Sequence, residues 1–171
     1  DPTITHLTIA NNSGKGAGMH LYHSHPTINN STIINNYSSE YGGGMMVQHS
    51  NPKLTNVTLE GNTAYYGGGM NLSHNSDAIF VNVTIINNSA EWGGGIRSVA
   101  SAPQLTHVTI KNNIAKWGGG IVLGNSNAIL INVTIANNTA TQDGGGVIME
   151  SNANPTLTNV TITNNTANQQ W

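Results

Sequence analysis

Residues 80–96 read FVNVTIINNSAEWGGGI, and residues 105–121 read LTHVTIKNNIAKWGGGI. The second stretch is the first moved along by 25 residues, with Val-Thr-Ile, the Asn pair and Trp-Gly-Gly-Gly-Ile all in phase and Glu91 exchanged for Lys116. Self-similarity at a fixed period decides the architecture before any local reading does. Moving outward, Tyr41-Gly-Gly-Gly-Met45, Tyr66-Gly-Gly-Gly-Met70 and Asp143-Gly-Gly-Gly-Val147 repeat the glycine signal, and Gly16-Ala17-Gly18-Met19 is a worn copy of it. LTNVTLEGN at 54–62, LINVTIANN at 130–138 and LTNVTITNN at 157–165 repeat the segment upstream. Pro2, Pro26, Pro52, Ala78, Pro103, Ala128 and Pro155 open successive copies, at spacings of 24, 26, 26, 25, 25 and 27 residues. Residues 1–171 thus form a single repeat domain of six full units and most of a seventh.

Within a unit, Val57 and Leu59, then Val83 and Ile85, alternate with Thr58 and Thr84, a period of two that belongs to strands. A second alternation follows each glycine triplet, at Met45 and Val47, Met70 and Leu72, Ile121 and Leu123, and Val147 and Met149. A third, shorter strand centres on Ile4, Ile28, Leu54, Phe80, Leu105, Leu130 and Leu157. Three short strands in each unit, with no helical period, predict an all-β fold: one coil per unit of a single-stranded parallel β-helix, about seven coils in all. One unit alone buries almost nothing; stacking at the strand spacing of about 4.8 Å closes the core and sets residues of equal phase into columns.

The columns explain the exchanged charge. Glu91 beneath Lys116 is an attractive cross-strand pair, worth at most about 1 kcal/mol where exposed. Trp92 and Trp117 form the next column, continued by Tyr66 and Tyr41. One asparagine column contains Asn56, Asn82, Asn132 and Asn159, with Asn30 in phase and His6 and His107 substituting; a second contains Asn62, Asn88, Asn113 and Asn138, with Asn12, Asn36 and Asn165. Both read as corner ladders, since asparagine tolerates the left-handed conformation and its amide can donate to one coil and accept from another.

Composition bounds the function. Only 7% of residues are charged and the formal net charge is −2, which is unlike a solvated disordered tail and gives no attraction for nucleic acid or an anionic membrane. The sequence has no apolar run long enough for a membrane span and no signal-peptide pattern, so Asp1-Pro2 reads as a mature or trimmed beginning. The absence of cysteine excludes disulfides and cysteine-type zinc sites but leaves export open.

Gly-Gly-Gly followed by Ile, Met or Val, paired with a tetrad such as Ile85-Ile86-Asn87-Asn88, resembles the GG-aliphatic and FxxN repeats of polymorphic outer membrane proteins. It is also similar to the wider right-handed parallel β-helix repeats of bacterial surface and secreted proteins. The resemblance covers essentially the whole chain, with Ile or Leu where the family has Phe. It implies a right-handed coil and an extracellular or cell-surface location.

Five features are candidates for function. The acids scatter in phase; only Glu40, Glu91 and Lys116 share a column, so an enzyme with clustered carboxylates is not expected. His23, His49 and His74 share a phase, with His20 and His25 nearby, and read either as a corner ladder or as ligands for zinc or copper; their parity with Met45 and Val47 predicts side chains toward the core. Tyr41, Tyr66, Trp92 and Trp117 read as structural stacking, as a protein contact or as a glycan-binding column. Thr8, Thr32, Thr58, Thr84, Thr109, Thr134 and Thr161 form a threonine column, but Glu60 and Lys111 in its partner column spoil a regular ice-binding lattice. Ile79, Val81, Ile129 and Ile131 lie at outward parity and, with Trp171, are candidates for contact with other copies.

No cap is visible before Pro2 or at Trp171. The expectation is therefore a non-enzymatic extracellular structural subunit without a cofactor, assembling end to end with copies of itself. The alternative is a surface adhesin that binds glycans through the aromatic column.

Overall fold

The computed structural model describes residues 1–168, which form a parallel β-solenoid with no helix among them. Three parallel sheets run along the stack, of 12, 5 and 6 strands, and the first of them spans every coil. The first contains both the leading short strand of each unit and the Val-Thr-Ile strand. In two coils these merge into unbroken strands, Thr27–Ile34 and Lys53–Glu60; in the others they separate at the first asparagine column. The second sheet contains Thr63–Tyr66, Ser89–Trp92, Ile114–Trp117, Thr139–Ala140 and Thr166–Ala167. The third follows the glycines, as in Met45–Gln48, Ile96–Val99 and Ile121–Gly124.

Two of the expected strands are thus halves of one sheet, and the aromatic segment is a strand in its own right. It shows no hydrophobic alternation because its inward residue is an alanine, as at Ala64, Ala115 and Ala140, all buried. Register follows the repeat: Leu59 pairs with Ile85, Ile85 with Ile110, and Ile110 with Ile135. Inward residues of the first and third sheets, among them Phe80, Leu54, Leu105, Met45, Met70, Ile96 and Ile121, make one continuous core. Parallel strands joined by crossovers of this kind wind to the right in almost every known case.

The two asparagine columns do different work. Asn56, Asn82, Asn132 and Asn159 all have positive φ, between 51° and 55°, and stay exposed, passing side-chain hydrogen bonds between neighbouring coils, as in Asn56 Nδ2 to Asn30 Oδ1 at 3.0 Å. In the second column the left-handed turn falls one residue earlier, at Asn35, Gly61, Asn87, Asn112 and Asn137. Asn36, Asn62, Asn88, Asn113 and Asn138 then turn inward and are buried. Each receives at Oδ1 both the backbone N–H and the Nδ2 of the preceding coil's asparagine, as Asn88 does from Asn62 at 2.9 and 3.1 Å. Its own Nδ2 also donates to a strand carbonyl of the preceding coil, Leu59 O at 3.0 Å for Asn88. The ladder holds while the left-handed role belongs to the neighbour.

The glycine triplet closes the coil. Gly93 and Gly118 turn at φ 71° and 68°, and a Cβ at the following Gly94 would meet the carbonyl oxygens of Gly119 and Ile114 at 2.5 and 2.6 Å. No larger residue fits there without moving backbone.

Candidate functional site

The histidine column is a surface stack. His23, His49 and His74 sit at φ 49°, 49° and 60° and are exposed, not turned toward the core. Parity predicts the wrong side because a left-handed residue breaks the period of two that an extended strand imposes. The His23 and His49 rings lie 4.7 Å apart at 5°, and His49 and His74 are 4.9 Å apart at 42°. Tyr22 stands edge-on to His23 at 4.3 Å. Nitrogen lone pairs lie in the ring plane, so those of stacked His23 and His49 point side by side rather than at a common ion. Among the described residues no group of three or more His, Cys, Asp or Glu is placed to hold a metal. His20 Nε2 meets Gln48 Oε1 at 3.2 Å, and His25 Nδ1 accepts the Asn51 N–H at 2.9 Å. Loss of hydration in the stack, reinforced by His23 and His74, holds His49 below the ordinary imidazole value.

The aromatic column divides into two pairs. Trp92 and Trp117 stack at 4.5 Å and 22°, Tyr41 and Tyr66 at 5.0 Å and 17°. Against Tyr66 lies Arg97, which the sequence reading counted only among scattered charges. Its guanidinium covers the Tyr66 ring at 4.6 Å and donates from Nη1 to Asn71 Oδ1 at 3.2 Å, while Nε is buried with no protein partner. Burial pulls its pKa below the ordinary value, partly offset by Tyr66, Glu150 and Tyr41. Arg97 stands in register with Met46, Asn71, Val122 and Ile148 on the outward parity of the third sheet. Asn71 and Val122 are nevertheless buried. The left-handed glycine explains this: it folds the second sheet toward the outer face of the third, so that a Cβ at Gly93 would crowd the Arg97 Cβ and one at Gly118 would strike Val122. The glycine-to-outward-residue spacing, Gly93 to Arg97 and Gly118 to Val122, is the signal that could have found this concave corner.

The charges are mostly engaged between coils. Lys116 Nζ lies 3.3 Å from Glu91 Oε1 and 4.2 Å from the centre of the Trp117 ring. Lys15 Nζ reaches Glu40 Oε1 at 2.7 Å, and this contact raises the lysine pKa. The aliphatic face is exposed as expected at Ile79, Ile129 and Ile131, with Val81 half-buried. Gln104 and Thr106 separate it into two patches, since they pair with Ile79 and Val81 on one side and Ile129 and Ile131 on the other. Trp171 lies outside the described residues. The threonine column is in register from Thr8 to Thr161.

The family profile described as "Right handed beta helix region" matches residues 1–132. With that match over most of its length, and with the parallel solenoid above, the chain belongs to the right-handed β-helix family. No curated protein and no solved structure shows significant similarity to it. No helix among the described residues is long and apolar enough to cross a membrane.

Proposed function

We propose that this chain is a length of non-enzymatic structural solenoid from an extracellular or surface-exposed protein, which extends by joining coil to coil with further copies. The observation that carries the proposal is the direction of the buried asparagine ladder. From Asn12 to Asn165, every coil sends a backbone N–H and an Nδ2 forward to the next Oδ1, at 2.9 to 3.1 Å. A pattern that repeats without an internal stop makes one face of any coil complementary to the opposite face of any other. Ladder pairing between chains is a form of strand addition. The extracellular location rests on the resemblance to bacterial surface repeats. The non-enzymatic reading is supported by Glu40 and Glu91, each tied to a lysine rather than paired with a second acid.

Glycan binding on the aromatic column is the weaker reading, because the stacked faces of Trp92 and Trp117 are turned toward each other. Electron microscopy of the purified chain tests the proposal. Filaments with an axial repeat near the seven-coil height of about 34 Å are expected. Discrete short rods over the whole accessible concentration range would refute it.

A further inference from the structure

Between its buried asparagine and its first glycine, the coil with residues 37–41 carries one residue more than the coils with Thr63–Tyr66, Ser89–Trp92 and Ile114–Trp117. Tyr37 pairs with Thr63 and Tyr41 with Tyr66, so the extra residue is absorbed between them as a bulge. The Ser38 N–H donates to Thr63 O and the Tyr66 N–H to Glu40 O, both at 2.8 Å, while Ser38 Oγ accepts the Glu40 N–H at 3.2 Å. Ser39 is left outside the ladder and exposed. Beside this bulge lies a cleft of about 210 Å³, lined by Tyr37 and Ser39, by Thr63 and Tyr65 of the next coil, and by Glu91 of the coil beyond. Tyr37 and Tyr65 are 54% and 46% exposed, so much of each ring is open to a ligand.

The outward column that passes the cleft alternates in charge except at one place. Lys15 binds Glu40, and Lys116 binds Glu91. Glu40 and Tyr65 precede the paired Tyr41 and Tyr66, Tyr65 and Glu91 precede the paired Tyr66 and Trp92, and Glu91 and Lys116 precede the paired Trp92 and Trp117. The order along the stack is therefore cation, carboxylate, phenol, carboxylate, cation. Opposite charges on neighbouring strands attract, so the pattern asks for a third cation where Tyr65 stands. An aromatic ring there holds a cation without being one.

We infer that the cleft binds a small organic cation, an alkylated ammonium group such as that of choline, which supplies the missing charge. The phenol rings of Tyr37 and Tyr65 attract the cation electrostatically, and the Glu91 carboxylate compensates its charge. An anion would meet Glu91. A calcium ion takes about 6–8 oxygen ligands, and the cleft offers it one carboxylate. A bare ammonium is strongly hydrated and gives up more water than an alkylated one to reach the rings. The cleft lies on the side of the stack, and the inference does not depend on end-to-end assembly.

The test is a titration of the ¹⁵N-labelled chain, followed by amide chemical shifts, with choline chloride, with sodium chloride at matched ionic strength, and with neohexyl alcohol, in which carbon replaces the charged nitrogen. Choline is expected to move the Ser39, Tyr65 and Glu91 amides with a Kd in the millimolar range, and the salt and the alcohol to leave them in place. Tyr65→Leu should weaken choline binding about tenfold. Tyr65→Lys puts the missing cation into the chain itself and should abolish binding while distant coils keep their spectrum. Glu91→Gln leaves Lys116 uncompensated beside the cleft and should abolish binding as well, which keeps the test open if Tyr65→Lys does not fold. The inference is overturned if choline moves none of these amides, if the alcohol moves them as far as choline does, or if binding survives Glu91→Gln or a folded Tyr65→Lys unchanged.

Discussion

Exchanging Glu91 for a lysine one coil later is a small electrostatic choice with a measurable consequence. Lys116→Glu sets two carboxylates side by side and should lower stability by no more than about 1 kcal/mol, since both groups are partly exposed. The double exchange Glu91→Lys with Lys116→Glu should recover most of that loss, and high salt should shrink the difference in thermal midpoint. His49 gives a pH dependence with a definite sign. Its folded pKa lies below the ordinary value of 6.5, so folding favours the neutral ring. That contribution is complete above the unfolded pKa and is lost as the pH falls below it, because the unfolded chain then takes up the proton first. The thermal midpoint of the parent should therefore drop on acidification below that value. His49→Asn, the residue that Asn125 supplies at the same corner, should flatten the dependence.

Each coil depends on two features that cannot be shifted. In Asn88→Ala, the buried backbone N–H of Asn62 loses its acceptor, Asn62 Nδ2 keeps only Ile33 O, and Leu59 O loses a donor. An unsatisfied buried group costs about 1–3 kcal/mol, so the denaturant midpoint should fall far more than for Asn82→Ala on the exposed ladder. Gly94→Ala drives a methyl group into two carbonyl oxygens and should cost about 3 kcal/mol by overpacking. Strand phases, columns and both asparagine ladders were legible in the sequence because each depends only on the repeat period. The strand under the aromatic column was not, because Ala64, Ala115 and Ala140 carry too little apolar signal to reveal an inward face. The outward turn of the histidines was missed for a different reason: left-handed backbone at His23, His49 and His74 is invisible to an argument from alternation. Arg97 required knowing that the corner beside it is concave.

The molecule as a stack follows from repetition of these parts. No coil has its own core; Phe80 or Leu105 is buried because coils lie above and below it, so stability grows with every interface added. The same property makes the proposed extension economical, since joining two stacks adds one more interface of a kind already present. The family assignment fixes the class of fold, while the ladders explain how so weakly charged a chain holds polar side chains inside it. Native-state hydrogen exchange measures this directly. The amide protons of Asn62, Asn88 and Asn113, each donated to the next coil's Oδ1 at 2.9 Å, should exchange as slowly as those of the central core strands, through global unfolding alone. Exchange of these three at the rate of an unprotected peptide would contradict the account, because the coils would then be held together without the buried ladder.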